Sequence, residues 1–424
     1  MKRVVQFLVE IARIIVGAVF VFSGFVKAID PLGTTYKIQD YLISFNLTEL
    51  FPLALPGSVV MVAAEVVLGA FLLLGVYRKW TTIFIALFMI FFIPLTLWIA
   101  LNNPVADCGC FGDALVITNW QTFQKNVFLL LCTVFLVFKW ERMTPIFSKE
   151  MTKYVAIFVI FSAIFFTLYN LYRLPVIDFR PYKIGANIPE QMSVDPANRD
   201  VFETILIYRK NGVEQEFSQD DFPWDDPAWE YVDMKTVLVR AGERPAIDNF
   251  SIEALHHDEA TGAWIVEDNI TDLILHKPYS FLMVSHSLNK MNTRQLKHFE
   301  EINRIANVNN GQFSQFYLLT ASPLNVIAEW ESRHQTGFYI VHGDERVLKT
   351  MIRSNPGLML LHEGTVVNKW ANSEIPTVVR QMEELWREKY FHEFTNKKRA
   401  SSNTKLIIIG LLFLVPLMIF KWID

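Results

Sequence analysis

The chain has 424 residues, 52% of them hydrophobic, with a mean hydropathy of +0.26 and a formal net charge of -4. Charged residues make up 19%, below the roughly 25% of an average soluble domain, so a large part of the chain is expected to meet lipid. The negative balance gives no reason to expect nucleic-acid binding, which would need a strongly basic face, and three cysteines are too few for a disulfide scaffold.

A bilayer core about 30 Å thick takes roughly 17 to 25 mostly apolar residues per helix. Such runs cover residues 4–26, 55–76, 80–101, 123–138 and 154–171, and a shorter one covers 406–420. The last carries Pro416 and is flanked by Lys405 and Lys421, which can snorkel to the interfaces. The first run contains Glu10 and Arg13 and lacks a small-residue cleavage pattern, so it reads as an anchor and not a signal peptide. Charged groups within the hydrocarbon are costly and usually paired. Counted at 1.5 Å per residue, Arg13 lies roughly 21 Å below Lys27 and Glu65 roughly 14 Å below Pro56. That offset predicts an Arg13–Glu65 pair, either a lock on the bundle or a carboxylate for proton or quinone traffic. Gly17, Gly24, Gly69 and Gly75 are expected to permit close helix approach.

Basic residues set the orientation. Lys2 and Arg3, Arg78 and Lys79, and Lys139, Arg142, Lys149 and Lys153 flank the short cytoplasmic connections that the positive-inside rule predicts. Residues 103–122 and the long segment after the fifth span then face outward. Lys397, Lys398 and Arg399 run against this assignment, but long translocated domains weaken the rule. Residues 36–46 (YKIQDYLISFN) read as an amphipathic interfacial segment, a cap over the bundle or an ordinary loop on lipid.

Residues 107–113 read DCGCFGD. Cysteines one residue apart close only a small, strained disulfide ring, which is labile rather than structural. Cys108 and Cys110 are therefore the candidate redox pair. A tight structural loop and a metal half-site are the competing readings, the metal one short of the usual four ligands; no metal is expected. Asp107 and Asp113 are expected to raise the thiol pKa values. Cys132, within the fourth span, reads as a small buried hydrophobe, the alternative being a resolving thiol near the outer end.

Residues 204–208 and 213–217 form a predicted hairpin around Asn211-Gly212, and 236–240 a further strand. The aromatic stretch 222–229 (FPWDDPAW) is a partner surface or plain packing. From residue 278 the pattern alternates: strand 279–285, helix 293–306, strand 316–320, helix 323–334, strand 338–341 and helix 345–353. A hairpin of 358–361 and 366–370 follows around Glu363-Gly364, then a helix over 378–391.

This order resembles the thioredoxin fold over residues 278–391. Ser354-Asn355-Pro356-Gly357, leading into LMLLHEGTVVNKW, resembles its cis-proline turn and final hairpin, with Pro356 at the cis-proline position. The family's C-x-x-C pair is missing. The equivalent stretch, SHSLNKMN (285–292), offers His286 as its one group titrating near neutral pH, which also reads as an ordinary surface-loop histidine, so the domain is expected to bind or position a partner. The first spans resemble the DoxX/MauE group of four-helix membrane proteins. Arg13, Gly17, Phe20, Gly24, Lys27 and Asp30 in the first helix, Glu65 and Gly69 in the second, and the CGCFG loop carry the likeness. It implies maturation of disulfide-containing exported proteins or quinone-coupled sulfur oxidation.

The expected architecture is a polytopic α-helical membrane bundle (DoxX-like, 1–145), a fifth transmembrane helix (146–175) and a strand-rich extracytoplasmic segment (176–277). A degenerate α/β thioredoxin-like domain (278–395) and a C-terminal transmembrane helix (400–424) complete it. Localisation is expected in the cytoplasmic (inner) membrane, with the soluble domain in the periplasm. Thiol–disulfide oxidoreductase activity through Cys108 and Cys110, towards an exported client or redox partner, is the leading expectation. A non-enzymatic scaffold and a quinone-linked oxidoreductase component are the alternatives; quinone is the one cofactor in view.

Overall fold

The computed structural model describes residues 2–105, 107–195, 198, 200–218, 221–240, 242–258, 263–307, 314–387 and 402–424. The 397–399 basic run and the predicted end of the last domain helix lie outside the described residues. In chain order, the N-terminal helices are α1 (Lys2–Ile29), α2 (Pro31–Ser44), α3 (Phe51–Leu74), α4 (Arg78–Asn102), α5 (Asn119–Lys139) and α6 (Lys149–Tyr172). Among the described residues six helices are long and apolar enough to cross a membrane: all of these except α2, together with the C-terminal helix. The protein is a multi-pass membrane protein whose helices present apolar side chains to lipid, as Phe91 and Phe138 do.

Small residues decide how closely the first and third helices meet. A side chain at Gly24 would strike the Val66 backbone nitrogen at 2.7 Å, and one at Gly69 the Val21 nitrogen at 2.7 Å. This is the close approach that drives association where lipid offers no hydrophobic gain. Helix α2 begins immediately after α1, with Asp30 as N-cap to the Gly33 nitrogen and Pro31 at its first position. It stands on the end of the bundle that carries residues 107–118. The Thr35 and Ser58 hydroxyls meet at 2.8 Å, so the first turns of α3 rise beside α2, beyond the end of α1. Residues 36–44 of the segment read as 36–46 thus belong to a 14-residue helix covering that end.

The extramembrane region begins with α7 (Ile188–Met192). A three-stranded sheet follows, with β1 (Val201–Lys210) flanked by β2 (Val213–Ser218) and β3 (Glu230–Arg240). Next come β4 (Ile252–Asp258), β5 (Ala263–Asn269), α8 (Thr271–Leu275), β6 (Tyr279–Ser285), α9 (Leu296–Ala306), β7 (Ser314–Thr320), α10 (Leu324–His334) and β8 (Tyr339–Gly343). The chain then runs through α11 (Glu345–Met351), β9 (Gly357–His362), β10 (Thr365–Ala371), α12 (Ile375–Arg387) and α13 (Ser402–Ile423).

The main sheet has seven strands in the order β10-β9-β6-β7-β8-β4-β5. Strands β6, β7 and β8 are parallel, and β9 joins β6 antiparallel with Leu282 opposite Met359. Strand β6 is buried along its whole length. Phe281 and Met283 face the side covered by α9, α10 and α12, and Leu282 and Val284 face the side carrying Ile188, Phe250 and Leu348. A boundary at 277/278 does not survive this topology. Strand β4 pairs with β8, placing Ala254 opposite Val341, so 252–269 belong to the same sheet as 279–371. Among the described residues only β1–β3 form a separate sheet.

Candidate functional site

The Cys108–Cys110 loop is shaped by its glycine and its aspartate. Gly109 takes φ +68, a left-handed conformation that a side chain resists. A Cβ there would also press on Lys37 Cγ at 3.2 Å. Asp107 Oδ1 accepts the Gly109 N–H at 2.8 Å, closing the turn, while Oδ2 pairs with Lys37 Nζ at 2.8 Å. Tyr41 Oη donates to the Cys108 carbonyl at 2.7 Å. Helix α2 therefore holds the loop from above through Lys37 and Tyr41. Within it the two thiols are free, with Sγ atoms 3.3 Å apart.

Below the loop lies a cavity of about 40 Å³ lined at its polar end by Cys110, Ser23, Lys27, Glu65, Lys125 and Asn126. Lys27 Nζ meets Glu65 Oε1 at 2.6 Å, both side chains being almost fully buried. Ser23 Oγ lies 2.8 Å from Glu65 Oε2 and 2.7 Å from the Cys110 carbonyl oxygen. Its single proton can serve one of these acceptors at a time. The Lys125 ammonium sits over the Phe111 ring, 4.3 Å from its centroid.

The expected Arg13–Glu65 pair is not formed. Because α3 starts beside α2, Glu65 lies level with Lys27 and not with Arg13. Arg13 reaches the far end of α3, donating to the Leu72 carbonyl at 2.9 Å and the Leu73 carbonyl at 2.5 Å, and pairs with Glu10 at 2.9 Å. It ties down the last carbonyls of a helix, a cation at the negative end of the dipole. Gln6, Glu10 and Thr144 complete this remote cluster.

The extramembrane domain sits on the cysteine end of the bundle. Arg353, between α11 and β9, donates through Nε to both Asp30 carboxylate oxygens at 3.0 and 2.9 Å. Its Nη2 lies 3.8 Å from Asp113, and its guanidinium stacks 5.2 Å from the Tyr36 ring centroid. Lys349 faces the same ring at 4.8 Å and His286 meets it edge-on at 6.4 Å. Two residues beyond Arg353 the Asn355–Pro356 peptide is cis. Asn355 Oδ1 accepts from Ser285 Oγ at 2.7 Å and its amide donates to the Ser287 carbonyl at 2.9 Å. The 285–287 turn and the 353–356 loop are thereby fastened together, facing α2.

The thiols are unequal. The two thiols share one hydrogen bond, and with Cys108 as its donor that bond, aided by Lys125 and Lys27 against the cost of burial, holds the Cys110 thiol below its ordinary value; the same bond and burial push Cys108 up. Of the flanking aspartates, Asp107 is matched by Lys37 and Asp113 faces Arg353. Burial, then Lys349, lowers His286 to about 4, leaving it neutral. Cys132 packs among α1, α4 and α5 apolar side chains such as Val9 and Met89, apart from the pair. Among the described residues no group of His, Cys, Asp and Glu is arranged to hold a metal ion. Ser23, Lys125 and Arg353 were not picked out from the sequence. The i, i+4 placement of Ser23 and Lys27 on one face of α1 is the signal that could have found the first.

Residues 5–139 match the family model described as methylamine utilisation protein MauE, which covers α1 to α5 and the cysteine loop. Residues 202–241, the three-stranded sheet, match a model described only as a domain of unknown function. No curated protein and no solved structure matches the chain.

Proposed function

We propose that Cys108 and Cys110 form a dithiol–disulfide couple that exchanges with exported client proteins on the outer face of the cytoplasmic membrane. In this reading the docked domain is a thioredoxin-like module without its own cysteines that holds the client over the bundle's pair. The observation that carries it is the seating of the cis-proline loop, through Arg353 and Asp30, on the end of the bundle that holds the two free thiols. The strand order β10-β9-β6-β7, with parallel β6–β7 and antiparallel β9–β10, supports the thioredoxin-like assignment. The outward orientation is supported by the basic residues at the opposite end, from Arg78 and Lys79 to Lys149.

Acid-quenched cells treated with a mass-tagging thiol reagent, in a Cys132→Ala background, test this. The expected result is a pair present in both redox forms, with a mixed disulfide to another protein trapped by Cys110→Ser. A pair locked in one state, and a Cys108→Ser/Cys110→Ser variant that supports growth and client maturation like the parent, would leave a non-enzymatic scaffold as the reading.

A second observation favours a membrane quinone as the electron acceptor. A lipid-facing apolar groove between α3 and α4, lined by Leu53, Val60, Met61 and Phe91, shares Phe88 and Phe92 with the cysteine cavity. An acceptor with an isoprenoid tail could lie in the groove and meet Cys110 once those stacked rings part. The cavity alone, about 40 Å³, has space for little beyond water. Quinone extracted with the purified protein, and lost when Phe88 is enlarged to Trp, is the expected outcome; equal quinone content in both would remove this reading.

A further inference from the structure

Charge counting in the cavity points to the direction of electron flow. From α1 it receives Lys27 and Ser23, from α3 Glu65, from α5 Lys125 and Asn126, and from α4 only Phe88, Met89 and Phe92. On the α2 side Lys37 and Asp107 neutralise each other and Tyr41 is bound to a carbonyl. Lys27 is matched by Glu65. Half-buried Lys125 forms no ion pair among the described residues; its ammonium lies over the Phe111 ring face and the residue lines the Cys110 cavity. A partly buried cation without a counter-charge is costly. The one group in the cavity that can supply the missing negative charge is Cys110. With Cys110 as thiolate the site holds two cations and two anions; as a disulfide it holds two cations and one anion.

Resting on the exchange reading above, we propose that Lys125, with Lys27 behind it, is a positioning residue that stabilises the reduced pair and so makes the Cys108–Cys110 disulfide an oxidant of client dithiols. A thiolate held by nearby ammonium groups is a good leaving group. A client thiolate attacks Cys108 Sγ, the Cys108–Cys110 bond breaks, and Cys110 leaves as the thiolate opposite Lys125. The second client thiol then displaces Cys108 from the mixed disulfide. Cys108 takes one proton and the other is released. The client dithiol loses two electrons and the pair gains them. Return to the disulfide requires a two-electron acceptor of the quinone class.

The test uses the full-length protein in lipid nanodiscs, in the Cys132→Ala background, equilibrated with mixtures of reduced and oxidised glutathione and scored by mass-tagging. Lys125→Met should move the equilibrium towards the disulfide by about tenfold, the factor corresponding to one pKa unit, and Lys125→Arg should restore the parent value. Independently of how well Lys125→Met folds, alkylation of Cys110 in Cys108→Ser should show its half-maximal rate at lower pH with Lys125 present than in Lys125→Gln. Ready equilibration with an unchanged constant and pH profile in all variants would overturn this inference while leaving exchange intact. A parent pair that never equilibrates with glutathione would overturn the exchange reading, and the inference with it.

Discussion

Two buried charge clusters in this molecule have the same stoichiometry and opposite character. In the bundle, Glu65 pairs with Lys27 and shares a cavity with Lys125; at the root of the extramembrane domain, Asp178 stands between Arg180 and Lys369. The Asp178 cluster is closed. Its carboxylate takes Arg180 Nε at 2.8 Å and Lys369 Nζ at 2.7 Å, and the spare N–H groups go to the Thr350 and Tyr182 carbonyls. Burial, then the Arg180 charge, pushes Lys369 down to about 7, so the proton that makes this second cation is held less tightly than on a free lysine. The Glu65 cluster is open, because its surplus cation faces a cavity with a thiol in it. The first arrangement fastens a linker to a sheet; the second leaves a lysine beside a thiol-lined cavity.

The comparison can be broken at four points. The largest effect should come from the carboxylates. Removing one partner of a buried pair costs about 3–5 kcal/mol, so Glu65→Gln and Asp178→Asn should both lower the unfolding midpoint in detergent, and only Glu65→Gln should move the thiol–disulfide equilibrium. Matching shifts in that equilibrium would erase the distinction between the clusters. Arg353→Ala comes next. Losing charge-assisted bonds of about 1.5–3 kcal/mol should unseat the domain, read as faster hydrogen exchange in α2 with the sheet core unchanged.

A smaller effect is carried by pH. Lys369 binds its proton less readily folded than unfolded, so between about pH 7 and its ordinary value the unfolded chain holds more protons and stability rises with pH. From pH 7.5 to 8.5 the gain should be about 1 kcal/mol at most, present in the parent and absent in Lys369→Met; thermal melts at the two pH values decide it. Asp178, lowered to about 2 although burial alone would raise it, works in the opposite window: its stabilisation is present above the ordinary carboxylate range and lost as pH falls through about 2. The smallest effect belongs to His286. Neutral and merely edge-on to Tyr36, it should change stability by about 0.5 kcal/mol or less as His286→Gln, with exchange rates above pH 6 unaltered.

What could be read in advance follows from which interactions are local. The spans were legible because lipid demands an unbroken apolar run, and β6 and β9 because strands buried on both faces leave the same mark in FLMV and LMLL. Strands β4 and β5 were not legible. IEALHHD carries two histidines and a glutamate, and its pairing with β8 spans more than eighty residues. The cysteine loop announced itself by spacing, whereas its electrostatic surroundings depended on depth matching between helices. Starting α3 beside α2 changed the partner of Glu65 from Arg13 to Lys27. No pattern along one helix contains that offset.

The chain enters the extramembrane domain from α6 and leaves it into α13, and these helices pack together through Phe166 on Phe413 and Phe158 on Phe420. Lys405 fastens the two roots by donating to the Val176 carbonyl at 2.8 Å. The domain is thus leashed at both ends, and its seat on the bundle is an intramolecular encounter with no dilution to overcome. A latch as slight as Arg353 on Asp30 and Tyr36 is enough to keep such a leashed body seated. For the same reason a change of about 1.4 kcal/mol in that latch alters the ratio of seated to lifted domains tenfold, so a client that competes for Asp30 or Tyr36 would act on the cysteine loop as a key acts on a catch.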